Sequence, residues 1–435
     1  MTGGASLSPG DVRASSDRAV VALRHRDFRL LWAGQLVSDV GSHMQEVALA
    51  YQLFRLTDSP FQLGLLGLVR FAPVLLLALV GGAVADRLDR RRVLLVTQGF
   101  LGLSSAALAL ATQLDFVNVG LIYTVTFVSS IAWSFDEPAR EGLIPRLVPH
   151  AHLPQATTLT VLAHEVGAVS GPAMGGVAIA AVGLSASYWF DAASFAVVVA
   201  ALLAMRGGRG VATQPGEEGA GSVREGLRFV RRSPLILGLV SLDFLATFFG
   251  ASLILLPIFA DEILEVGPEV LGFLYAAPSA GSVATGLMLT ALPPVRRAGR
   301  AVLAATVVFG VAIAVFGSTS SLVVAIVALG VSGCADTVSR VPLQAVRLMV
   351  TPDDMRGRVA SVNQLASYGG WELGGFKAGM AAGLVGAGPA VVANGVLVVA
   401  TAVGAWFLAP AVRASRIDRA ASVTEVSGPP GAPVG

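Results

Sequence analysis

Polar and ionisable side chains recur at helical spacing near the start of the chain. Gln35, Asp39, Ser42 and Glu46 follow one another at spacings of four, three and four residues, and His43 lies beside them. Because a helix completes a turn in about 3.6 residues, this spacing places the four side chains on one helical face. The intervening residues are apolar, and a carboxyl group in apolar surroundings can gain or lose a proton as those surroundings change. Asp39, near the middle of the stretch, is our first candidate for a proton carrier.

Other ionisable residues interrupt apolar stretches further along the chain. The remaining candidates for a direct role in proton transfer are Glu165, Asp243 and Glu372, with the histidines His43 and His164. Glu46 and Arg70 fall at similar depths of two successive stretches, so we expect them to form a structural ion pair.

The composition excludes several classes of protein. The 435 residues are 54% hydrophobic and only 13% charged, against about 25% charged in soluble domains, which indicates a polytopic membrane protein. The one lysine, Lys377, is not part of a Gly-Lys-Ser/Thr phosphate-binding loop, so we predict no ATP site. With Cys334 as the single cysteine and no third ligand near His150 and His152, we predict no metal centre and no cofactor. Without an ATP site, any transport of a solute against its gradient by this protein would need an ion gradient to drive it.

Apolar stretches long enough to cross a membrane divide the chain. About 20 apolar residues, at about 1.5 Å each, cross a hydrocarbon core of about 30 Å. Twelve such stretches are predicted, at residues 30–53, 62–85, 93–114, 117–138, 156–182 and 185–205, and at 234–259, 269–292, 301–317, 321–349, 359–384 and 388–410. The sequence therefore predicts an all-α membrane protein with twelve transmembrane helices in two six-helix bundles.

The distribution of basic residues tests this arrangement independently. Arginines cluster before the first stretch, after every even-numbered stretch and in the tail, whereas the alternate loops contain only Arg55. Since basic residues collect on the cytoplasmic side, both termini are predicted to be cytoplasmic. The predicted organisation is a cytoplasmic segment 1–29, a bundle 30–205, a linker 206–233 ending in a short amphipathic helix, a second bundle 234–410 and a disordered tail 411–435. The arginine clusters lack interleaved aromatic residues, so nucleic acid is not an expected partner.

The two halves repeat a charged motif. Asp136 is followed four residues later by Arg140, and Asp336 is followed in the same way by Arg340, 200 residues further on. A six-plus-six repeat is typical of transporters whose site lies between the halves. Because a neighbouring arginine keeps a carboxylate ionised, we expect these pairs to act in gating and not in proton carriage.

The loop after the second stretch carries acids among arginines. It reads Gly82-Ala83-Val84-Ala85-Asp86-Arg87-Leu88-Asp89-Arg90-Arg91-Arg92 and resembles the signature loop of the major facilitator superfamily. The resemblance implies a latch between neighbouring helices, made by charge-assisted hydrogen bonds among Gly82, Asp86, Arg87, Arg90 and Arg91. It also implies that Asp136 pairs with Arg90 at an inner gate. Asp89 stands where the family usually has glycine.

The fifth stretch contains a regular series of small residues, Gly167-Ala168-Val169-Ser170-Gly171-Pro172-Ala173-Met174-Gly175-Gly176. Glycine at every fourth position gives a flat face for close helix packing, and Pro172 bends the helix. The series is similar to the motif of the drug/proton antiporter branch of the superfamily, and the stretches 28–35 and 136–140 resemble the subgroup of enterobactin and multidrug exporters. The resemblance covers about residues 24–410, although the family's arginine-containing motif of the fourth span is not evident in residues 123–133.

Aromatic residues and a few acids are predicted to line a substrate cavity. The cavity candidates are Gln35, Ser42, Glu46, Arg70, Trp133, Phe244, Phe248, Tyr275 and Trp371. Apolar walls tolerate varied shapes and carboxylates select positive charge, so we expect export of small amphipathic or cationic molecules in exchange for protons. The alternatives are a siderophore or lipid carrier, or an importer, of the same fold, and outside that class a lipid-modifying membrane enzyme or a non-transporting receptor or scaffold. We expect a monomer in a bacterial inner membrane.

Overall fold

The computed structural model describes residues 21–87, 89–207, 223–292, 297–352 and 355–415. For residues 78–87, 223 and 224 it describes the backbone alone. Most of the predicted N-terminal segment, most of the linker and most of the tail therefore lie outside the described residues.

Twelve long α-helices account for most of the described residues, six on each side of the linker. The first six are α1 Arg26–Thr57, α2 Pro60–Arg87, α3 Arg90–Gln113, α4 Val119–Leu143, α5 Leu153–Val182 and α6 Leu184–Ala204. The second six are α7 Pro234–Gly250, α8 Pro268–Ala291, α9 Ala298–Ser318, α10 Leu322–Val350, α11 Arg356–Val385 and α12 Ala387–Leu408. Ten helical segments of the described residues are long and apolar enough to cross a membrane. The exceptions, α1 and α11, carry Asp39, Glu46, Glu372 and Lys377.

Local sequence explains several helix ends. The side chain of Asp89 accepts a hydrogen bond from the backbone N–H of Arg91 and caps α3, and Asn118 caps α4 in the same way. Gly183 and Gly386 form the tight joints α5–α6 and α11–α12 with φ of 106° and 89°, where a side chain would be strained. The two glycines occupy equivalent places in the two halves, as an internal repeat requires.

The halves also pack their helices in equivalent ways. The contacts α1–α5, α2–α4 and α3–α6 of the first half recur as α7–α11, α8–α10 and α9–α12 in the second. The halves meet through the related pairs α2–α11 and α5–α8. Glycines allow these helices to approach, since a Cβ at Gly176 would lie 2.9 Å from the Cα of Gly272, and a Cβ at Gly64 would lie 3.0 Å from the Cα of Gly379.

The two ends of the molecule differ in how the halves join. We call the end that carries the linker the linker end and the opposite end the distal end. At the distal end one apolar core contains residues of both halves, for example Phe54 and Leu66 with Phe259 and Leu274. At the linker end the described core clusters each belong to one half, one around Leu143 and others in the second half. The halves are therefore sealed at the distal end and have separate cores at the linker end.

The seventh stretch differs from the prediction of one continuous span at 234–259. α7 ends at Gly250, and the chain continues after residues 251–252 as a 3-10 turn Leu253–Leu255, an α-helical turn Leu256–Ile258 and a π-helical turn Phe259–Ile263. We call residues 253–263 the α7 extension. Hydropathy does not distinguish a broken helix from a continuous one, and the signals of the break in this sequence were Gly250 and Pro257, which disfavour an uninterrupted helix.

The predicted amphipathic helix at the end of the linker is present at Val223–Arg232. It packs against α11, where Val230 is buried beside Val359 and Val362 and Glu225 pairs with Arg358 at 3.1 Å. Leu227, one turn before this contact, remains 39% exposed. The helix therefore docks on the second half of the protein.

Candidate functional site

The predicted polar face of α1 is only partly assembled as expected. The side-chain amide of Gln35 donates to the Asp39 carboxylate at 2.9 Å, and Nδ1 of His43 lies 2.8 Å from the Asp39 carbonyl oxygen. Ser42 instead donates to Asp191 of α6 at 3.2 Å, inside the first half. Asp191 is fully buried and also accepts from Ser105 at 2.5 Å, so it anchors α1, α3 and α6 to one another.

The first of three arginine-centred clusters lies in the first half. Arg140 contacts Asp136 at 2.6 Å, and the buried Asp136 also accepts hydrogen bonds from Thr97 at 2.6 Å and Gln98 at 2.9 Å. The same guanidinium lies 5.4 Å from the ring of Trp133 and interacts electrostatically with Asp39. Asp136 is therefore fixed within its own half.

The expected pairing of Asp136 with Arg90 is wrong for this structure. Arg90 donates to the carbonyl oxygen of Gly142, at the end of α4. The hydrogen bonds of Asp136 come instead from Thr97, Gln98 and Arg140, because these side chains lie beside it on α3 and on the next turn of α4.

The rest of the signature loop is partly described. The side chains of Asp86 and Arg87 lie outside the described part, so the predicted latch, which also includes Gly82, stays a prediction. Arg91 is buried and donates to the carbonyl oxygen of Leu203 at 3.3 Å, which ties α3 to α6. The N-cap made by Asp89 explains physically how this chain uses an acid where the superfamily usually has glycine.

The second cluster spans both halves near the distal end. Arg70 of α2 pairs with Glu46 of α1 at 3.7 Å, which confirms that predicted pair. The guanidinium also interacts electrostatically with Glu372 and Tyr368 of α11 and with Tyr275 of α8. The α11 helix packs closely against α2, since α2 has glycine at position 67, where a Cβ would lie only 3.1 Å from the Glu372 carboxylate.

The third cluster lies nearer the linker end. Arg340 pairs with Asp336 at 2.9 Å, and both side chains are accessible, at 64% and 39% exposed. Asp243 of α7 and Glu165 of α5 contribute electrostatically, so this cluster too includes both halves. Asp243 also accepts a hydrogen bond from Ser367 of α11.

The glycine series of α5 packs against α1 as its spacing predicts. Added Cβ atoms at Gly167, Gly171 and Gly175 would lie within 3.0 Å of Asp39, His43 and Met44, one contact per helical turn. Pro172 and Gly176 face Gly272 of α8. One side of the series thus contacts the carboxylate-bearing helix and the other side contacts the second half. His43 and His164, also on α1 and α5, lie edge to face with ring centroids 5.4 Å apart.

Aromatic candidates are spread over several environments. Phe244 and Phe248 stack at 5.7 Å, and Trp371 is 41% exposed on α11. Lys377 was not among the predicted site residues, yet its Nζ lies 5.1 Å from the ring centroid of Phe248 and 4.9 Å from that of Phe249. Its isolation among 29 arginines was the one available signal.

The buried carboxylates fall into two kinds. Asp136 is paired with an arginine, whereas Asp39, Asp191 and Glu372 have no cation within 4.0 Å among the described residues. Asp191 is held by the hydroxyl groups of Ser42 and Ser105. Asp39 and Glu372, at 6% and 8% exposed, each interact electrostatically with an arginine that is already paired with another acid. One is in the first half and one is in the second, and each is a group that can hold a proton without breaking an ion pair.

Comparison with known proteins identifies the family. Residues 18–428 match the sequence family described as "Transmembrane secretion effector". The chain belongs to this family of major facilitator transporters. Over 335 residues, which are 77% of this chain and 80% of the relative, it is 30% identical to the enterobactin exporter EntS of Shigella boydii serotype 18.

Solved structures show the same fold at low sequence identity. A bacterial homologue of the human lysosomal transporter Spinster, inward-facing and occupied, matches with a TM-score of 0.69 and 16% identity over 90% of this chain and 98% of that one. A POT family transporter in complex with a thioalcohol-conjugated peptide matches with a TM-score of 0.72 and 12% identity over 89% and 96%. The predicted major facilitator fold is confirmed, and this transporter is a multi-pass membrane protein of the efflux type, not a membrane enzyme.

Proposed function

We propose that this transporter exports small amphipathic molecules in exchange for protons, by alternating access between its two halves. The observation that supports the exchange is that the buried carboxylates Asp39 and Glu372 have no ion-pair partner of their own among the described residues, and that each interacts with an arginine already paired with another acid. A membrane-embedded carboxylate that must stay charged is normally paired, so an unpaired one is suited to carry a proton.

The arrangement of the helices supports alternating access. The distal end is sealed by a core shared between the halves, and the linker end is not. Arg70 and Arg340 each have acidic neighbours in both halves. A change in the protonation of those acids therefore changes the attraction between the halves. Proton binding then differs in free energy between the two conformations, and this difference lets a proton shift the equilibrium between them.

The test is uptake of a fluorescent cationic dye into liposomes under an imposed pH gradient. Asp39→Asn and Glu372→Gln keep side-chain volume and hydrogen bonding but cannot exchange a proton, so each should abolish gradient-driven uptake. Asp115→Asn is the matched control, because Asp115 lies exposed in the α3–α4 loop with φ of 54°, a conformation that asparagine tolerates. Uptake that survives in both variants at the parental rate would refute the assignment of the carriers.

A siderophore of enterobactin's kind is a second candidate cargo. The identity with an enterobactin exporter favours it, and the accessible Arg340 offers a guanidinium to an acidic group of the cargo. Competition decides between the two cargoes: added enterobactin should slow dye uptake in the parent, and Arg340→Gln should raise the enterobactin concentration that halves the variant's own dye uptake. Unaltered dye uptake at saturating enterobactin would exclude this cargo.

A further inference from the structure

The break at the end of α7 leaves backbone carbonyl groups without helical partners. α7 ends at Gly250, and the last carbonyls of a helix have no intrahelical donors. The Phe248 carbonyl is one of this set, and it accepts a hydrogen bond from Nζ of Lys377 at 3.1 Å. A positive charge at a helix C-terminus is stabilised by the helix dipole, so the ammonium of Lys377 caps α7 from the neighbouring helix α11.

The site around Lys377 has partners for two protonation states. Nζ donates to Asn394 of α12 at 2.7 Å as well as to the Phe248 carbonyl, and these two acceptors satisfy both N–H groups of a neutral amine. The charged ammonium has one more N–H, and the rings of Phe248 and Phe249 offer it cation–π contacts at 5.1 and 4.9 Å. In the described residues no carboxylate pairs with Lys377, so nothing fixes its charge.

The chemistry of the residue agrees with this arrangement. Of the 30 basic residues in the chain, only this one is lysine. An arginine stays charged under all ordinary conditions, whereas a lysine amine can give up its proton. Among the 30 lysine and arginine side chains, the one whose amine the described residues place against the break is thus the one that can give up its proton.

The neighbouring charged groups are engaged elsewhere. On α7 the only ionisable residue is Asp243, which accepts from Ser367, and α12 contains none. On α2 the described ionisable side chain is Arg70, paired with Glu46, and on α11 itself Glu372 lies beside Arg70. The α7 extension and the linker helix carry further charges, at Asp261, Glu262, Glu225, Arg228, Arg231 and Arg232, with Arg356 and Arg358 at the start of α11.

The segment that follows the break contacts the residues that close the distal end. The α7 extension follows the break directly, and Asp261 of the extension pairs with Arg55 of α1 across the halves at 3.4 Å. Phe259 of the extension belongs to the shared distal core and stacks on Phe316 at 4.4 Å. α11 packs closely against the break: a Cβ at Gly374 would lie only 2.8 Å from the Cβ of Ala251. Loss of the cap would loosen the segment that seals the distal end.

We propose that Lys377 is a proton-binding group that controls the distal gate: the protonated amine, which adds the cation–π contacts and the attraction of the α7 C-terminus to its two hydrogen bonds, holds the distal end closed, and the neutral amine, which keeps the two hydrogen bonds alone, lets it open. This inference rests on the proposed proton exchange and gives its direction. A proton taken up from the distal side closes that end and returns the transporter to the state that is open at the linker end, as an exporter requires.

The test measures the distance between two spin labels across the distal end by pulsed electron paramagnetic resonance. The labels are attached at Asp115→Cys and Ser320→Cys, in exposed distal loops of opposite halves, in the Cys334→Ala background, and the protein is held in lipid nanodiscs. In the parent, raising the pH should move the distance distribution from a short to a longer population. Lys377→Arg should stay short at every pH, and Lys377→Met should lose the transition as well. A parent without a transition, or a Lys377→Arg protein that titrates like the parent, would overturn the proposal.

A milder variant guards against misfolding of the lysine variants. Phe249→Leu leaves the hydrogen bonds of Lys377 in place but removes one cation–π contact, so it should move the midpoint to lower pH by roughly half a unit. An unchanged midpoint would contradict the arrangement proposed for the charged state. If the parent transports no cargo but shows a pH-dependent distance change that Lys377→Arg loses, the proposed proton exchange is refuted and the role of Lys377 at the distal end stands. If the parent shows proton-driven transport and Lys377→Arg shows the same pH-dependent distance change as the parent, the exchange stands and the role of Lys377 is refuted.

Discussion

The two repeated aspartate–arginine pairs allow a stability comparison within one molecule. Asp136–Arg140 and Asp336–Arg340 have the same spacing of four residues and similar separations of 2.6 and 2.9 Å. Their surroundings differ, since the side chains of the first pair are 0% and 15% exposed and those of the second are 39% and 64% exposed. Removal of one partner should therefore lower the free energy of unfolding by very different amounts in the two halves.

Arg140→Met strands the carboxylate of Asp136 in the core of the first half. Breaking a buried pair from one side costs about 3–5 kcal/mol, and we expect the lower part of this range because Thr97 and Gln98 still donate to the carboxylate. Arg340→Met removes an exposed pair, for which the typical change is about 0–1 kcal/mol. The double variant Asp136→Asn/Arg140→Met should recover most of the loss, since the amide keeps an acceptor for Thr97 and Gln98 and carries no charge.

The assay is unfolding in detergent micelles followed by tryptophan fluorescence, with all four proteins under the same conditions. Equal destabilisation by Arg140→Met and Arg340→Met would refute the argument from burial. A double variant as unstable as Arg140→Met would show that the stranded charge is not the cause.

Three further predictions concern packing, capping and acid stability. Gly176→Leu should open the distal end, because its side chain would clash with Gly272 across the halves, and spin-label distances across that end should lengthen; unchanged distances would argue against the α5–α8 seam. Asp89→Ala should destabilise the protein by about 0.5–2 kcal/mol through loss of the α3 cap, and Asp89→Asn should not, as thermal unfolding would show. For Asp27, before the first predicted span, burial raises the pKa, but hydrogen bonds from the backbone of Gly207 and Arg206 and the charge of Arg26 outweigh it and hold the pKa below its usual value. Its stabilising effect is therefore present above about pH 4 and lost as the pH falls through the lowered pKa, so the difference in thermal stability between the parent and Asp27→Asn should shrink on acidification; a constant difference would contradict this.

Local periodicity predicted the features that depend on neighbours within one or two helical turns. The Gln35–Asp39 contact, the two aspartate–arginine pairs and the packing face of the α5 glycines all follow from spacings of four residues. Hydropathy placed the twelve helices, although α1 extends several residues beyond its predicted span at both ends.

Contacts between distant parts of the chain could not be predicted in the same way. Glu372 lies beside Arg70, and His152 contacts His25 at 3.0 Å, because of how far each helix is shifted along its neighbour, which one sequence does not specify. Lys377 was read only as the absence of an ATP site, since its partners on α7 and α12 come together through the break in α7.

The exchange of cargo for protons is tested most directly by reversing its direction. Liposomes containing the transporter and a luminal pH indicator are loaded with the cargo identified by the dye and enterobactin assays, and are then diluted into cargo-free buffer of the same pH. The exchange mechanism predicts that cargo leaving the lumen draws protons in, so the lumen acidifies, and that Asp39→Asn and Glu372→Gln abolish the acidification. Cargo efflux without a pH change, or with luminal alkalinisation, would contradict proton exchange.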